Sequence, residues 1–406
     1  MTNEQKNVPQ LRFPNYKDLW SSYQLNNISE RVTRKNKNLE SKRPLTISGQ
    51  LGLIDQIEYF NKSVSSKNLT NYTLIKKGEF AYNKSYSNGY PLGAIKMLER
   101  YDLGILSSLY ICFSFNKNID KNFMKNYFES TKWFREVASI AVEGARNHGL
   151  LNIPINDFFN INLKLPIERE QEKIGDFFSK LDRQIELEEQ KLELLKQQKK
   201  GYMKKIFSQE LRFKDENEND YPKWTIRKIE DISKVNKGFT PNTKNDKYWD
   251  DNKENWLSIA GMNQKYLYKG NKGITEKGSL KHNKVDSGTL IMSFKLTLGK
   301  LAIVKKPIYT NEAICHFVWK DNNINTEYMY YYLNSINISK FGAQAIKGIT
   351  LNNDSINSII VKLPIVEEQV KIADFLLNFE KLTEKQIKKV ELLKQRKKGL
   401  LQKMFV

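Results

Sequence analysis

Lys164-Leu165-Pro166-Ile167 returns as Lys362-Leu363-Pro364-Ile365, and from there the two stretches run in register, without a gap, 198 residues apart. Gln171, Lys173, Ile174, Asp176 and Phe177 recur as Gln369, Lys371, Ile372, Asp374 and Phe375. Glu193-Leu194-Leu195-Lys196-Gln197 recurs as Glu391-Leu392-Leu393-Lys394-Gln395, and Lys199-Lys200-Gly201 as Lys397-Lys398-Gly399. So many ungapped identities are beyond chance, and the chain contains one segment twice. A shorter echo precedes each copy. Leu11-Arg12-Phe13 and Trp20 correspond to Leu211-Arg212-Phe213 and Trp224, and Leu25, Ile28 and Ser29 to Ile229, Ile232 and Ser233. The pattern is a globular domain followed by the repeated segment, used twice: domains at 1–162 and 224–360, repeated segments at 163–208 and 361–406, and an acidic, Asn- and Pro-containing linker at 209–223.

The repeated segment opens on Leu-Pro, and proline suits the first positions of a helix. No proline follows in either copy, and Glu, Lys, Gln and Leu dominate, all good helix formers. Steps of three and four place Ile174, Phe178, Leu181, Ile185, Leu192, Leu195, Tyr202 and Ile206 on one stripe; Ile372, Leu376, Phe379, Val390, Leu393, Leu400 and Met404 repeat it. Polar residues interrupt both stripes at matching places, Glu188 with Gln386 and Lys199 with Lys397, as seam breaks that fix register do. A helix of about 41 residues extends ~60 Å and cannot bury such a stripe alone. The two copies are expected to pack on each other as a coiled coil, although periodicity leaves pairing with a partner open.

The chain has 406 residues, room for two domains and their connections. Its formal charge of +21 points to a polyanionic partner, which lysines and arginines would neutralise with release of counterions; a lysine-rich composition is the plainer source. No apolar run approaches the ~18 residues of a membrane span, and the polar start lacks a signal-peptide core, so a cytoplasmic place is expected. Cys112 and Cys315 sit in apolar, strand-like runs and read as core rather than as metal ligands or reactive thiols.

Residues 20–160 and 224–360 read as mixed α/β domains, with candidate strands at 78–82, 94–97, 109–115, 290–294, 301–304 and 313–319. Between them lie polar, Gly-rich stretches. In the first half these are Thr46-Ile47-Ser48-Gly49-Gln50, Asn83-Lys84-Ser85-Tyr86-Ser87-Asn88-Gly89 and Glu143-Gly144-Ala145-Arg146-Asn147-His148-Gly149. In the second they are Gly238-Phe239-Thr240-Pro241-Asn242-Thr243-Lys244, Ser293-Phe294-Lys295-Leu296-Thr297 and Lys347-Gly348-Ile349-Thr350-Leu351-Asn352. Amide, hydroxyl, guanidinium and imidazole groups match base edges, and lysines hold phosphates. The candidate DNA-contacting residues are therefore Ser48, Gln50, Lys84, Tyr86, Arg146, Asn147 and His148 in the first half. In the second they are Thr240, Asn242, Thr243, Lys244, Asn263, Lys295, Lys347, Thr350 and Asn352. Plain exposed turns are the bland alternative for any one of them.

Catalytic signatures are missing. There is no Asn/Asp-Pro-Pro-aromatic loop to grip a flipped adenine, and no Gly-rich cofactor loop. Gly299-Lys300 lacks the Ser or Thr of a phosphate loop. His148, His282 and His316 lie far apart; His316 reads as a core histidine and His282 as solvated.

Taken together, these features resemble the specificity subunits of type I restriction–modification enzymes, over essentially the whole chain. The most specific parts are the two Leu-Pro…Glu-Gln…Ile segments and the paired Leu-Arg-Phe…Trp entries. Gly238-Phe239-Thr240-Pro241…Tyr248-Trp249…Trp256-Leu257-Ser258-Ile259 also looks like a common opening of such recognition domains, and the first half lacks it. The resemblance implies an α+β protein: two mixed α/β target-recognition domains separated by two long repeated helices packed as an antiparallel coiled coil, pseudo-two-fold. Each domain would read one half of a gapped target in double-stranded DNA. The chain itself would hold no cofactor. Two modification (methyltransferase) subunits would bring S-adenosylmethionine, and two restriction/translocase subunits ATP and Mg²⁺, with the helices as a ruler between half-sites. A single-chain methyltransferase or nuclease with drifted motifs, and a coiled-coil scaffold or RNA-binding adaptor, are the alternatives.

Overall fold

The computed structural model describes residues 7–62, 64–66, 68–87, 89–141, 151–345 and 348–406, with the side chains of 343–345 and 348–350 left aside. The chain divides into two compact units, Met1–Gln190 with Lys388–Val406, and Lys191–Ile387. Each repeated segment is one unbroken helix, Glu168–Phe207 and Val366–Lys403. Glu168 and Glu170 in the first turn and Lys204 and Lys205 in the last complement the helix dipole. Each long helix starts in one unit and ends in the other.

Within the first unit the start of the first helix packs on the end of the second. Ile174, Phe178, Leu181 and Ile185 share a core with Leu401, Met404 and Phe405. Lys397 pairs with Asp182 at 2.5 Å, Lys394 with Glu189 at 2.6 Å and Lys389 with Glu188 at 2.5 Å. From Asp182 to Glu188 and Glu189 the partner moves back from Lys397 to Lys389 and Lys394, so the helices run antiparallel. Within the second unit the roles exchange: Lys199 reaches Glu380 at 2.6 Å, and the Tyr202 ring lies 5.2 and 5.4 Å from those of Phe375 and Phe379.

These contacts explain the lysine seam break. Lys199 and Lys397 are one position of the repeat, and Asp182 and Glu380 are another, so a single interhelical ion pair is made twice. Each pair also ties in the neighbouring domain. Asp182 meets Lys125 at 3.5 Å, and Glu380 accepts from Lys265 at 2.9 Å and from the Tyr331 hydroxyl at 2.7 Å. Burial raises the Glu380 carboxyl, but the hydrogen bonds from Lys199, Lys265 and Tyr331 outweigh it and hold the group below its ordinary value.

The entry motifs are pinned the same way in both units. Arg12 grips Glu170 through two bonds of 2.7 Å, and Arg212 grips Glu368 at 3.2 and 2.7 Å. Gln171 and Gln369 each donate to the carbonyl of the Leu-Pro proline at 2.9 Å. Both also accept from the backbone of the adjoining domain, from Asp120 at 3.1 Å and Asn325 at 2.9 Å. Short antiparallel pairs, Ser21–Gln24 with Asn162–Leu165 and Thr225–Lys228 with Ile360–Leu363, close each domain at its base.

The domains themselves share a topology that their sequences conceal. In the first, the strand order is Ser29–Arg31, Tyr110–Phe115, Phe80–Asn83, Ala94–Met97, all antiparallel. In the second it is Ser233–Lys237, Ile314–Trp319, Leu290–Ser293, Leu301–Val304, with Tyr266–Leu267 added in parallel at the edge. Alternate residues face opposite layers. Phe80, Tyr82, Ile111, Phe113 and Phe115 face the helices' core, whereas Ala81, Ala94 and Cys112 face a smaller cluster. Leu290, Met292, Cys315 and Phe317 likewise oppose Ile291, Ala302 and Ile314. With both faces covered, such strands read as continuous apolar runs, and for that reason the sequence marks them well.

Cys112 and Cys315 are buried in these sheets, and burial pushes both thiols up to about 12. His316 lies in the same strand as Cys315, its Nε2 2.5 Å from the Thr310 hydroxyl, and burial pushes the imidazole down to about 4. A folded value below the unfolded one means stability is whole above pH ~6.5 and is lost as pH falls toward ~4, by at most about 3 kcal/mol. Urea unfolding of a His316→Gln chain should therefore show a smaller loss between pH 7 and pH 4.5 than the wild-type chain. An equal loss would place the proton uptake elsewhere.

Candidate nucleic-acid interface

In the second domain the strands Ser233–Lys237 and Leu290–Ser293 end beside the start of Ile314–Trp319, with Lys237 opposite Cys315 and Ser293 opposite Ile314. Loops 238–244 and 294–300 therefore leave one edge of the sheet together. Gly238 N donates to Ile314 O at 3.1 Å and Phe239 N to Thr310 O at 2.8 Å. A Cβ on Gly238 would stand 2.1 Å from the Thr310 oxygen, so only glycine lets the loop start this close to its neighbour. Leu351 N donates to Phe294 O at 3.2 Å and brings the third stretch to the same edge.

The candidate residues fare differently there. Asn242, Thr243, Lys244 and Lys295 are exposed on these loops. Thr240 is half-buried, donating to Glu312 and accepting from Asn311 Nδ2 at 2.8 Å. Asn352 is exposed but caps the short helix Asn353–Asn357, its Oδ1 2.7 Å from Ser355 N. Asn263 is exposed ahead of the edge strand Tyr266–Leu267, at the far side of the sheet from Ser233–Lys237. Thr350 lies in the strand Gly348–Thr350, paired with Ala343, and Lys347 lies outside the described residues.

In the first domain the turn between Leu45–Ser48 and Gly52–Asp55 meets loop 84–92 where the Tyr90 hydroxyl donates to Gly49 O at 2.7 Å. Gln50 is exposed on that turn, while Ser48 is only 7% exposed and its Oγ accepts from Leu51 N at 3.2 Å. Tyr86 projects from loop 84–92, and Lys84 is half-buried with Nζ 3.5 Å from Ile153 O. Arg146, Asn147 and His148 lie outside the described residues.

Sequence reasoning passed over three groups. Lys237 ends its strand with Nζ 4.7 Å from the Phe294 ring, and only its place before Gly238 hinted at this. His282 is exposed, as expected for a solvated residue, yet its ring stacks on Phe239 at 3.5 Å and 4°. Leu296, inside a stretch singled out for Lys295, is 90% exposed; an apolar residue in a polar turn was the available signal. Among the described residues, no helix is long and apolar enough to cross a membrane.

Each unit thus pairs one loop-bearing α/β domain with the start of one long helix and the end of the other. The chain belongs to the family described as the type I restriction modification DNA specificity domain, whose profile matches residues 10–197 and 221–392. The chain is 30% identical over 210 residues to the type I restriction enzyme MjaIX specificity subunit of Methanocaldococcus jannaschii, covering 49% of this chain and 48% of that protein. The MjaVIII specificity subunit of the same organism is 23% identical over 271 residues, covering 62% and 63%. The chain thus spans about half to three fifths of these relatives. The fold is also that of the S subunit from M. genitalium (TM-score 0.55, 14% identity, 98% of this chain and 99% of that one). A chain from a study of complex assembly and conformational transition of the type I R-M system superposes with TM-score 0.62 at 16% identity, covering 96% and 99%.

Proposed function

We propose that this chain reads a bipartite, gapped DNA target and carries partner subunits to it, with no chemistry of its own. The observation that carries the reading is a shared frame with unlike loops. Both domains have one sheet topology and one set of helix anchors, while the loops at the sheet edge differ in length and in polar groups. Different loops on matching supports read different half-sites. Exposed amides, hydroxyls and ammonium groups supply base-edge and phosphate contacts, and the net charge of +21 supplies the salt-dependent attraction.

In this reading two modification subunits with S-adenosylmethionine and two restriction/translocase subunits with ATP and Mg²⁺ assemble on the chain in the cytoplasm. Leu187 and Leu392 in the first unit, and Leu194 and Leu382 in the second, are exposed on the long helices and offer the modification subunits apolar contacts. A methylome map tests the proposal: modified bases are sequenced in a host carrying the modification partner, with and without this gene. A two-part motif with a fixed gap should appear only with the gene. Exchanging residues 20–160 for those of another such chain should then change one half of the motif and leave the other. If no motif depends on the chain, the reading is wrong.

A further inference from the structure

The connections that follow the central strands Phe80–Asn83 and Leu290–Ser293 are equivalent, because each strand lies between the same two neighbours in its sheet. Glycines of positive φ flank both: Gly78 at 82° and Gly93 at 75°, Gly288 at 85° and Gly299 at 73°. In each connection the third residue past the strand is a large apolar or aromatic side chain pointing into solvent. Tyr86 is 61% exposed and Leu296 is 90% exposed.

Leu296 is held there by its support. Ser293, buried at the strand end, donates its hydroxyl to Thr297 O and accepts from Lys300 N at 3.1 Å, and Gly299 N donates to Ser293 O at 2.9 Å. The Leu296 backbone sits at φ 64°, a region that costs a leucine roughly 1–2 kcal/mol. Such strain persists only where surrounding bonds impose it, and it concentrates at functional positions. Lys237 and Lys295 hold their ammonium groups 4.7 and 5.7 Å from the Phe294 ring, two residues before the tip, a basic setting that fits phosphates better than an apolar protein surface. The Tyr86 loop is closed by a Ser87–Tyr90 backbone pair at 2.8 Å and tied to Lys84 O through Leu151 N at 2.9 Å.

We propose that Leu296 and Tyr86 are wedges that enter the DNA base stack, one at each half-site. The inference rests on the DNA-reading function above and adds how that DNA is deformed. A side chain presented at a loop tip can part a base step, at Leu296 with the neighbouring lysines holding the backbone, and the step's resistance to unstacking then contributes to specificity without a base-edge hydrogen bond. Tyr86 adds stacking of its ring on the exposed base.

The test uses the complex of this chain with its modification partner and duplexes carrying the mapped motif, with 2-aminopurine placed in turn at each adenine. Binding should raise the fluorescence at one step in each half-site. Leu296→Gly should abolish the rise only in the half read by residues 224–360, and Tyr86→Ala only in the other. Each should weaken cognate binding roughly tenfold, about 1.4 kcal/mol, while affinity for unrelated duplex stays unchanged. Glycine is at ease at φ 64°, so Leu296→Gly keeps its melting temperature and separates this loss from misfolding. A rise that persists in both variants overturns the wedge, as does cognate binding by the wild-type complex with no rise. Loss of the modification partner from the Leu296→Gly chain on size-exclusion overturns it too, marking the tip as a protein contact. Failure of the wild-type complex to bind any duplex would sink the DNA-reading function itself.

Discussion

An Arg212→Met chain is expected to lose about 3–5 kcal/mol from the unfolding of its second unit, the cost of leaving one partner of a buried ion pair unmatched. Glu368 is 0% exposed, and its carboxylate accepts both guanidinium bonds and the Trp224 indole N–H at 3.0 Å. Once the arginine is gone, the indole N–H alone, of these donors, still faces this charge, too little to offset its desolvation. The first unit offers a parallel, since Arg12 holds Glu170, also 0% exposed, and Arg12→Met should unfold that unit by a similar amount.

The double variant Arg212→Met/Glu368→Leu sharpens the argument. It removes both charges, so most of the loss should return, as replacement of whole buried pairs by apolar groups often does. The Trp224 N–H would then lack an acceptor, which costs about 1–3 kcal/mol at most. The first unit already tolerates that state, because Trp20 Nε1 is buried there with no hydrogen-bond partner among the described residues. Urea titration of the three chains, followed by indole fluorescence, makes the comparison. A loss below about 1 kcal/mol in Arg212→Met would mean that water reaches Glu368.

The repeat made the helical frame legible. Gln171 and Gln369, or Lys199 and Lys397, recur because each makes the same bonds in its own unit. Strands were legible where both faces are covered and apolar residues run on, as in 109–115. Periodicity could not choose between pairing within the chain and pairing with a partner; the ion pairs and aromatic contacts inside each unit decide it. Equivalence of the two sheets stayed hidden because packing constrains only size and alternation at these positions, so Phe80 can stand where Leu290 does. Loop residues were the least legible. Residue type names the polar groups that Ser48, Thr240 and Asn352 carry, but local geometry has engaged the Ser48 and Asn352 oxygens as acceptors in a turn and a helix cap, and the Thr240 hydroxyl as a donor to a carboxylate. Leu296 was obscured for the opposite reason, since a chemistry-based search favours the lysine beside it.

The remaining large effect concerns the gap in the target. Each long helix is continuous across the division between units, after Gln190 in one and Ile387 in the other. Seven residues inserted at both points preserve the heptad seam and the ion pairs on either side of it. Such an insertion lengthens each helix by about 10.5 Å, which is about three steps of duplex DNA at 3.4 Å each. If the helix pair sets the distance between half-sites, the methylome of the double-insertion chain should show both half-motifs unchanged and a gap about three base pairs longer. Insertion into one helix alone should abolish modification, because Lys199 could then no longer meet Glu380 while Lys397 meets Asp182. An unchanged gap in the double insertion would place the control of spacing in the partner subunits, with the helices serving only to join the two reading domains.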